Sequence, residues 1–189
     1  MCSKNSMAEE KTCSGKTSKA LFQRILVAVD QSQQSAWAAQ MAGELARTTH
    51  AKVALIHSYR VDPGYALEMA VPVEDILADL QEAGQELLQR TRQLIPAEVD
   101  VSEMLVDGEA CSEIVAASEK WGAHLIVMGT HSRGRIANFL LGSTAVAVMR
   151  AARCPVLTVA HEPAKPVACC CTGSKVAAPA SHESAASVR

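Results

Sequence analysis

The sequence predicts an α/β domain: an open parallel sheet with helices on both faces. Three observations lead there. Strand-like and helix-like patterns alternate along the chain. The central strand segments are continuous aliphatic runs, as expected of strands covered on both faces. Helix-period segments of crossover length separate them, which joins neighbouring strands in parallel, each crossover right-handed.

The elements follow in order. Residues 24–29 form an unbroken aliphatic strand. Residues 35–48 carry Trp37, Met41 and Leu45 at a spacing of four, one face of a helix. Residues 52–59 are the second strand, and Pro63-Gly64 marks a loop. A longer helix spans 72–95, with Ile76, Leu80, Leu87 and Leu94 on one side and Pro96 ending it. Residues 99–106 alternate enough to suggest an outer strand, and Asp107-Gly108 turns the chain. Cys111, Ile114, Val115, Ser118 and Trp121 line a helix face that Gly122 terminates. Residues 125–128 are the fourth strand and 143–151 a short helix. Residues 155–160 are the fifth strand, opened by a proline and therefore suited to an edge.

A chain of 189 residues holds one compact domain. We expect it at residues 21–161. Residues 1–20 and 162–189 lack periodicity and are expected to be flexible arms, because they cannot bury enough apolar surface to offset ordering entropy. The net charge of −2 gives no reason to expect nucleic acid or an anionic membrane as partner. No apolar run approaches the roughly 20 residues that span a bilayer, and the polar N-terminal segment lacks a signal-peptide stretch. A cytoplasmic protein is expected. Of the seven cysteines, Cys111 and Cys154 read as buried small hydrophobes. Cys2, Cys13 and the run Cys169-Cys170-Cys171 fall in the arms. No CxxC pair is present, so no zinc site and no disulfide framework is specified.

Ligands of open parallel sheets lie beyond the carboxyl ends of the strands, where the winding reverses. Asp30 follows the first strand, His57 and Ser58 close the second, and Asp107 follows the third. The fourth runs into Gly129-Thr130-His131-Ser132-Arg133-Gly134-Arg135, and Gly142-Ser143-Thr144 open the next helix. This pattern favours an anion: backbone N–H groups of a glycine-containing loop converge, and a helix N-terminus adds unpaired donors and a positive dipole end. Taken singly, Gly142-Ser143 is more often an ordinary helix start with a serine cap, Gly129 a turn glycine, and Arg133 and Arg135 solvated charges. The loop is neither a Walker A motif nor the GxGxxG fingerprint, whose place after the first strand is held by Asp30-Gln31-Ser32. A receiver domain is excluded, since Gln31 stands where its second acidic residue belongs.

The blocks Ile25-Leu26-Val27-Ala28-Val29-Asp30, Val53-Ala54-Leu55-Ile56-His57, Ala123-His124-Leu125-Ile126-Val127-Met128-Gly129-Thr130-His131, Leu140-Leu141-Gly142-Ser143 and Cys154-Pro155-Val156-Leu157-Thr158-Val159 closely resemble the universal stress protein family, over roughly residues 22–161. The resemblance implies a Rossmann-like, adenine nucleotide alpha hydrolase-like fold. It is an open five-stranded parallel sheet in the order 3-2-1-4-5, with its switch point between the first and fourth strands. The ATP-binding branch carries G-x2-G-x9-G-[S/T]. Gly129 and Gly142-Ser143 fit its ends; Ser132 replaces the middle glycine, with Gly134 two places on. The resemblance implies that Asp30, Ser58, Met128 and Thr144 also occupy contact positions, with Asp30 and Ser58 on the adenosine side. The phosphates then fall between Gly129, Ser132, Arg133 and Gly134 and the Ser143-Thr144 end.

The expected ligand is ATP, with or without Mg²⁺, or ADP or AMP. The expected role is a nucleotide-responsive stress or signalling protein, with no catalytic residue and no protein-held metal. A slow ATPase or phosphotransferase and a nucleotide-free dimeric interaction protein are the alternatives. An apolar edge strand invites pairing, so a homodimer through residues 155–160 is expected, beside unidentified protein partners.

Overall fold

The computed structural model describes residues 21–61, 64, 72–130 and 142–161. Over these residues strands and helices alternate: β1 (Arg24–Ala28), α1 (Gln33–Thr49), β2 (Lys52–Tyr59), α2 (Val73–Arg92), β3 (Val101–Asp107), α3 (Ala110–Trp121), β4 (Leu125–Gly129), α4 (Ser143–Ala151) and β5 (Val156–Val159). The strands form one sheet in the order β3-β2-β1-β4-β5, with every neighbouring pair parallel. The expected order and architecture are therefore present.

Alternation along each strand divides the core in two. Ile25, Val27, Val53, Leu55, Leu125 and Val127 point to the face covered by α1 and α2. Leu26, Ala54, Ile56, Ile126 and Met128 point to the face covered by α3 and α4. Ile25, Leu26 and Val27 have no exposed surface at all, which is why β1 reads as an unbroken aliphatic run.

Two helix faces differ from the expectation. Trp37, Met41 and Leu45 pack only partly buried at the margin of the core. The residues that α1 turns fully inward are Ser35, Ala38, Ala39, Ala42, Gly43 and Ala46. Small side chains let this helix lie close to its surroundings: a Cβ at Gly43 would stand 2.8 Å from Pro96 Cδ. Large apolar residues then seal the flanks. On α2 the buried positions are Gly84, Leu88 and Thr91, with Leu87 partly buried beside them. Leu94 lies past the helix end and is 38% exposed. Gly122 caps α3 at φ +69°, the left-handed conformation that glycine adopts without a Cβ clash.

Cys111 and Cys154 are half-buried rather than buried, both against the α3–α4 side of the core. Burial raises both thiol pKa values, and the neighbouring Glu109 charge adds to the rise at Cys111. Among the described residues no helix is long and apolar enough to cross a membrane. The expectations for residues 1–20 and 162–189, including Cys2, Cys13 and Cys169-Cys170-Cys171, lie outside the described residues.

Candidate functional site

The winding reverses between β1 and β4, and a cleft of about 930 Å³ opens there at the carboxyl edge of the sheet. Such a volume suits a small molecule. Three structural pieces bring most of its polar groups, with β4 and α3 completing the wall.

The first is the turn from β1 into α1. Ser32 is the N-cap, and its hydroxyl oxygen accepts from the Ser35 N–H at 3.1 Å. Asp30 Oδ1 accepts from the Ser32 N–H at 2.9 Å and from the Ser32 hydroxyl. The Asp30 N–H donates to Ser35 Oγ at 3.0 Å. Ser35 is 2% exposed, so this closed set of bonds is anchored in the core. It fixes the Asp30 carboxylate at the cleft wall.

The second piece is the start of α4. Gly142 is the N-cap and makes no side-chain cap bond, and the first turn carries no acidic residue. Side chains of Ser32 and Glu109 cap α1 and α3, and α2, which also lacks a side-chain cap, carries Glu74 and Asp75 in its first turn. The first N–H groups of α4 thus carry their partial positive charge into a cleft lined by Gly142, Ser143 and Thr144. Gly142 has φ −56° and ψ 150°, angles open to any residue.

The third piece is the end of β2. His57 Nδ1–H donates to the Val29 carbonyl at 2.8 Å, since a carbonyl only accepts. This bond ties β2 to the exit of β1. Ser58 is the next residue and, by alternation, points to the opposite face.

Gly129 ends β4 in contact with the first piece. A Cβ there would lie 2.7 Å from Gln34 C and 2.7 Å from Ser35 N. Its φ is not in the left-handed region, which among described glycines only Gly108 and Gly122 occupy. Close approach of the α1 backbone therefore explains this glycine.

The cleft brings together Asp30, Ser58, Met128, Gly129, Gly142, Ser143 and Thr144. Ser132, Arg133 and Gly134 lie outside the described residues. Ser32, Ser35, Gln31, Gln33 and Gln34 were not anticipated as lining residues. A serine directly before a helix-period run is an N-cap signal, so Ser32 was findable. Among the described lining residues Asp30 is the only carboxylate, and no lysine or arginine accompanies it.

A sequence profile described as the universal stress protein family matches residues 21–160. The chain belongs to the universal stress protein family. A universal stress protein of Methanocaldococcus jannaschii is 35% identical over 140 residues, covering 74% of this chain and 82% of that protein. Among solved structures, a universal stress protein family member from Burkholderia pseudomallei is similar at 28% identity and a TM-score of 0.58, over 75% of this chain and 98% of that one. A universal stress protein from Archaeoglobus fulgidus, solved in complex with dAMP, is similar at 25% identity and a TM-score of 0.52, over 74% and 98%. The universal stress protein fold thus accounts for the whole described region of the chain.

Proposed function

We propose that this universal stress protein binds an adenine nucleotide, ATP or its ADP and AMP forms, in the cleft at the switch point. It responds to the occupancy of that cleft as a stress or signalling protein. One observation carries the reading. An uncapped helix N-terminus with two hydroxyl side chains stands at one end of the cleft. A fixed carboxylate and an apolar wall ending in Ser58 stand at the other. The first suits phosphate; the second suits a ribose and a base. The dAMP complex of the Archaeoglobus relative supports the same class of ligand.

Gly142, Ser143 and Thr144 would receive the phosphates, with Ser132, Arg133 and Gly134 approaching from the loop. Asp30 would face the ribose, and Met128 the base. Among the described residues no group of three or more His, Cys, Asp or Glu side chains converges. Mg²⁺ would therefore ride on the triphosphate oxygens, as it commonly does. A cytoplasmic setting, where adenine nucleotides are abundant, and a homodimer paired through β5 belong to the same proposal. The direct test is the nucleotide content of the purified protein after gentle denaturation. Stoichiometric release of an adenine nucleotide is expected, and protein that is empty and stays empty in millimolar ATP and AMP refutes the reading.

A further inference from the structure

The base end of the cleft has a chemical character of its own. Ala28, Ile56, Ile114, Met128 and Ala145 supply apolar surface from the α3–α4 face. Ser58 extends the same face: it follows Ile56 by two positions along β2. It is half-buried and lines the cleft. The hydroxyl side chains of the α1 turn are engaged locally, Ser32 with Asp30 and Ser35 with the Asp30 N–H. The Ser58 hydroxyl has no hydrogen-bond partner among the described residues. A lone hydroxyl on an apolar wall reads the edge of a flat ring laid against that wall.

Neighbouring strands are about 4.8 Å apart, so the end of β2 lies roughly 10 Å across the sheet from the end of β4. Ser58 is thus at the far end of the cleft from β4 and its outgoing segment, where a base rather than a phosphate would sit.

Building on the nucleotide reading above, we propose that Ser58 is a base-contacting residue whose hydroxyl hydrogen-bonds the edge of a purine base. It does so without choosing between 6-amino and 6-oxo purines. A hydroxyl rotates and can either accept or donate. It accepts from an exocyclic amino group and donates to an exocyclic carbonyl equally well. A site that relied on this group would bind adenine and hypoxanthine nucleotides with similar strength.

Calorimetric titration of the full chain with AMP and with IMP tests this, using the unmodified protein, Ser58→Ala and Ser58→Thr. The unmodified protein is expected to bind AMP and IMP within about threefold of each other. Ser58→Ala is expected to weaken both by about three- to tenfold, the worth of one hydrogen bond. Ser58→Thr keeps the hydroxyl and is expected to stay within about twofold of the unmodified protein. Unchanged AMP affinity in Ser58→Ala overturns the role of Ser58 and leaves the nucleotide reading standing. Equal losses in Ser58→Ala and Ser58→Thr overturn it too, since shape rather than the hydroxyl would then matter. IMP binding far weaker than AMP overturns the tolerance. No binding of either nucleotide by the unmodified protein overturns the nucleotide reading itself.

Discussion

At Gly129 a side chain would have to share space with the backbone of Gln34 and Ser35. Gly129→Ala is therefore expected to cost about 1–3 kcal/mol, typical of overpacking against groups that cannot rotate away. The midpoint of urea unfolding reads this, and a loss under about 0.5 kcal/mol would contradict the packing. His50 shows the reverse case. It closes α1 at φ 55° and ψ 35° with an exposed side chain, so His50→Gly is expected to stabilise the chain by about 0.5–1 kcal/mol. Glu109 makes its residue-scale contribution through charge. Its carboxylate accepts from the Ser112 N–H and holds its pKa below the usual glutamate range, with the Cys111 N–H and the Ser112 hydroxyl adding to the shift. A depressed folded-state pKa stabilises above the unfolded value and is lost as pH falls through the folded one. Between about pH 5 and about pH 3, the unmodified protein should lose more stability than Glu109→Gln; parallel losses would remove the cap from the account. Asp30, Gly142 and Ser58 were legible in the sequence because residues at strand ends and helix starts are placed by topology alone. The bonds that Asp30 and Ser35 make around the Ser32 cap were not, since they depend on the backbone geometry of the turn, which a residue pattern does not give.

At the scale of elements, α1 is the instructive helix. Its large apolar residues, spaced by four, mark a real helix but a marginal face. The inward face is made of alanines, a glycine and a serine. Periodicity in side-chain size finds the face only when size and burial go together, and a helix seated close to a sheet reverses that relation. Ala39 has no exposed surface, so Ala39→Leu should destabilise by about 1–3 kcal/mol despite adding an apolar group. Thermal or urea unfolding checks it, and a stabilised variant would mean the helix has room to spare. β1, β2 and β4 were readable because their centres, Ile25–Val27, Val53–Ile56 and Leu125–Met128, are apolar and buried on both faces. β3 stands at the edge as its alternation of apolar and polar residues led us to expect, yet both its faces are half-buried, Val101 and Leu105 against one half of the core and Met104 and Val106 against the other.

For the whole molecule, the sheet ends at β5 with Leu157 38% exposed, and Met149 of α4 is 40% exposed. Pairing of β5 with a second copy would satisfy its open backbone groups and cover Leu157. Leu157→Lys, or Thr158→Pro, is expected to turn a dimer into monomers or aggregates; light scattering that finds the unmodified protein monomeric at micromolar concentration would refute the pairing. The order of strands brings Asp30, Ser58 and the start of α4 to one cleft from distant parts of the sequence, and the central claim is that an adenine nucleotide spans them. Gly142→Val tests it most directly, because its backbone angles at that position suit any residue and the fold should survive. Titrated in parallel with ATP and AMP, the unmodified protein should bind both saturably at one site per chain, and Gly142→Val should bind about 10- to 100-fold more weakly through loss of N–H bonds to charged phosphate. Equal affinities for the two proteins, or no binding by the unmodified one, would contradict the account.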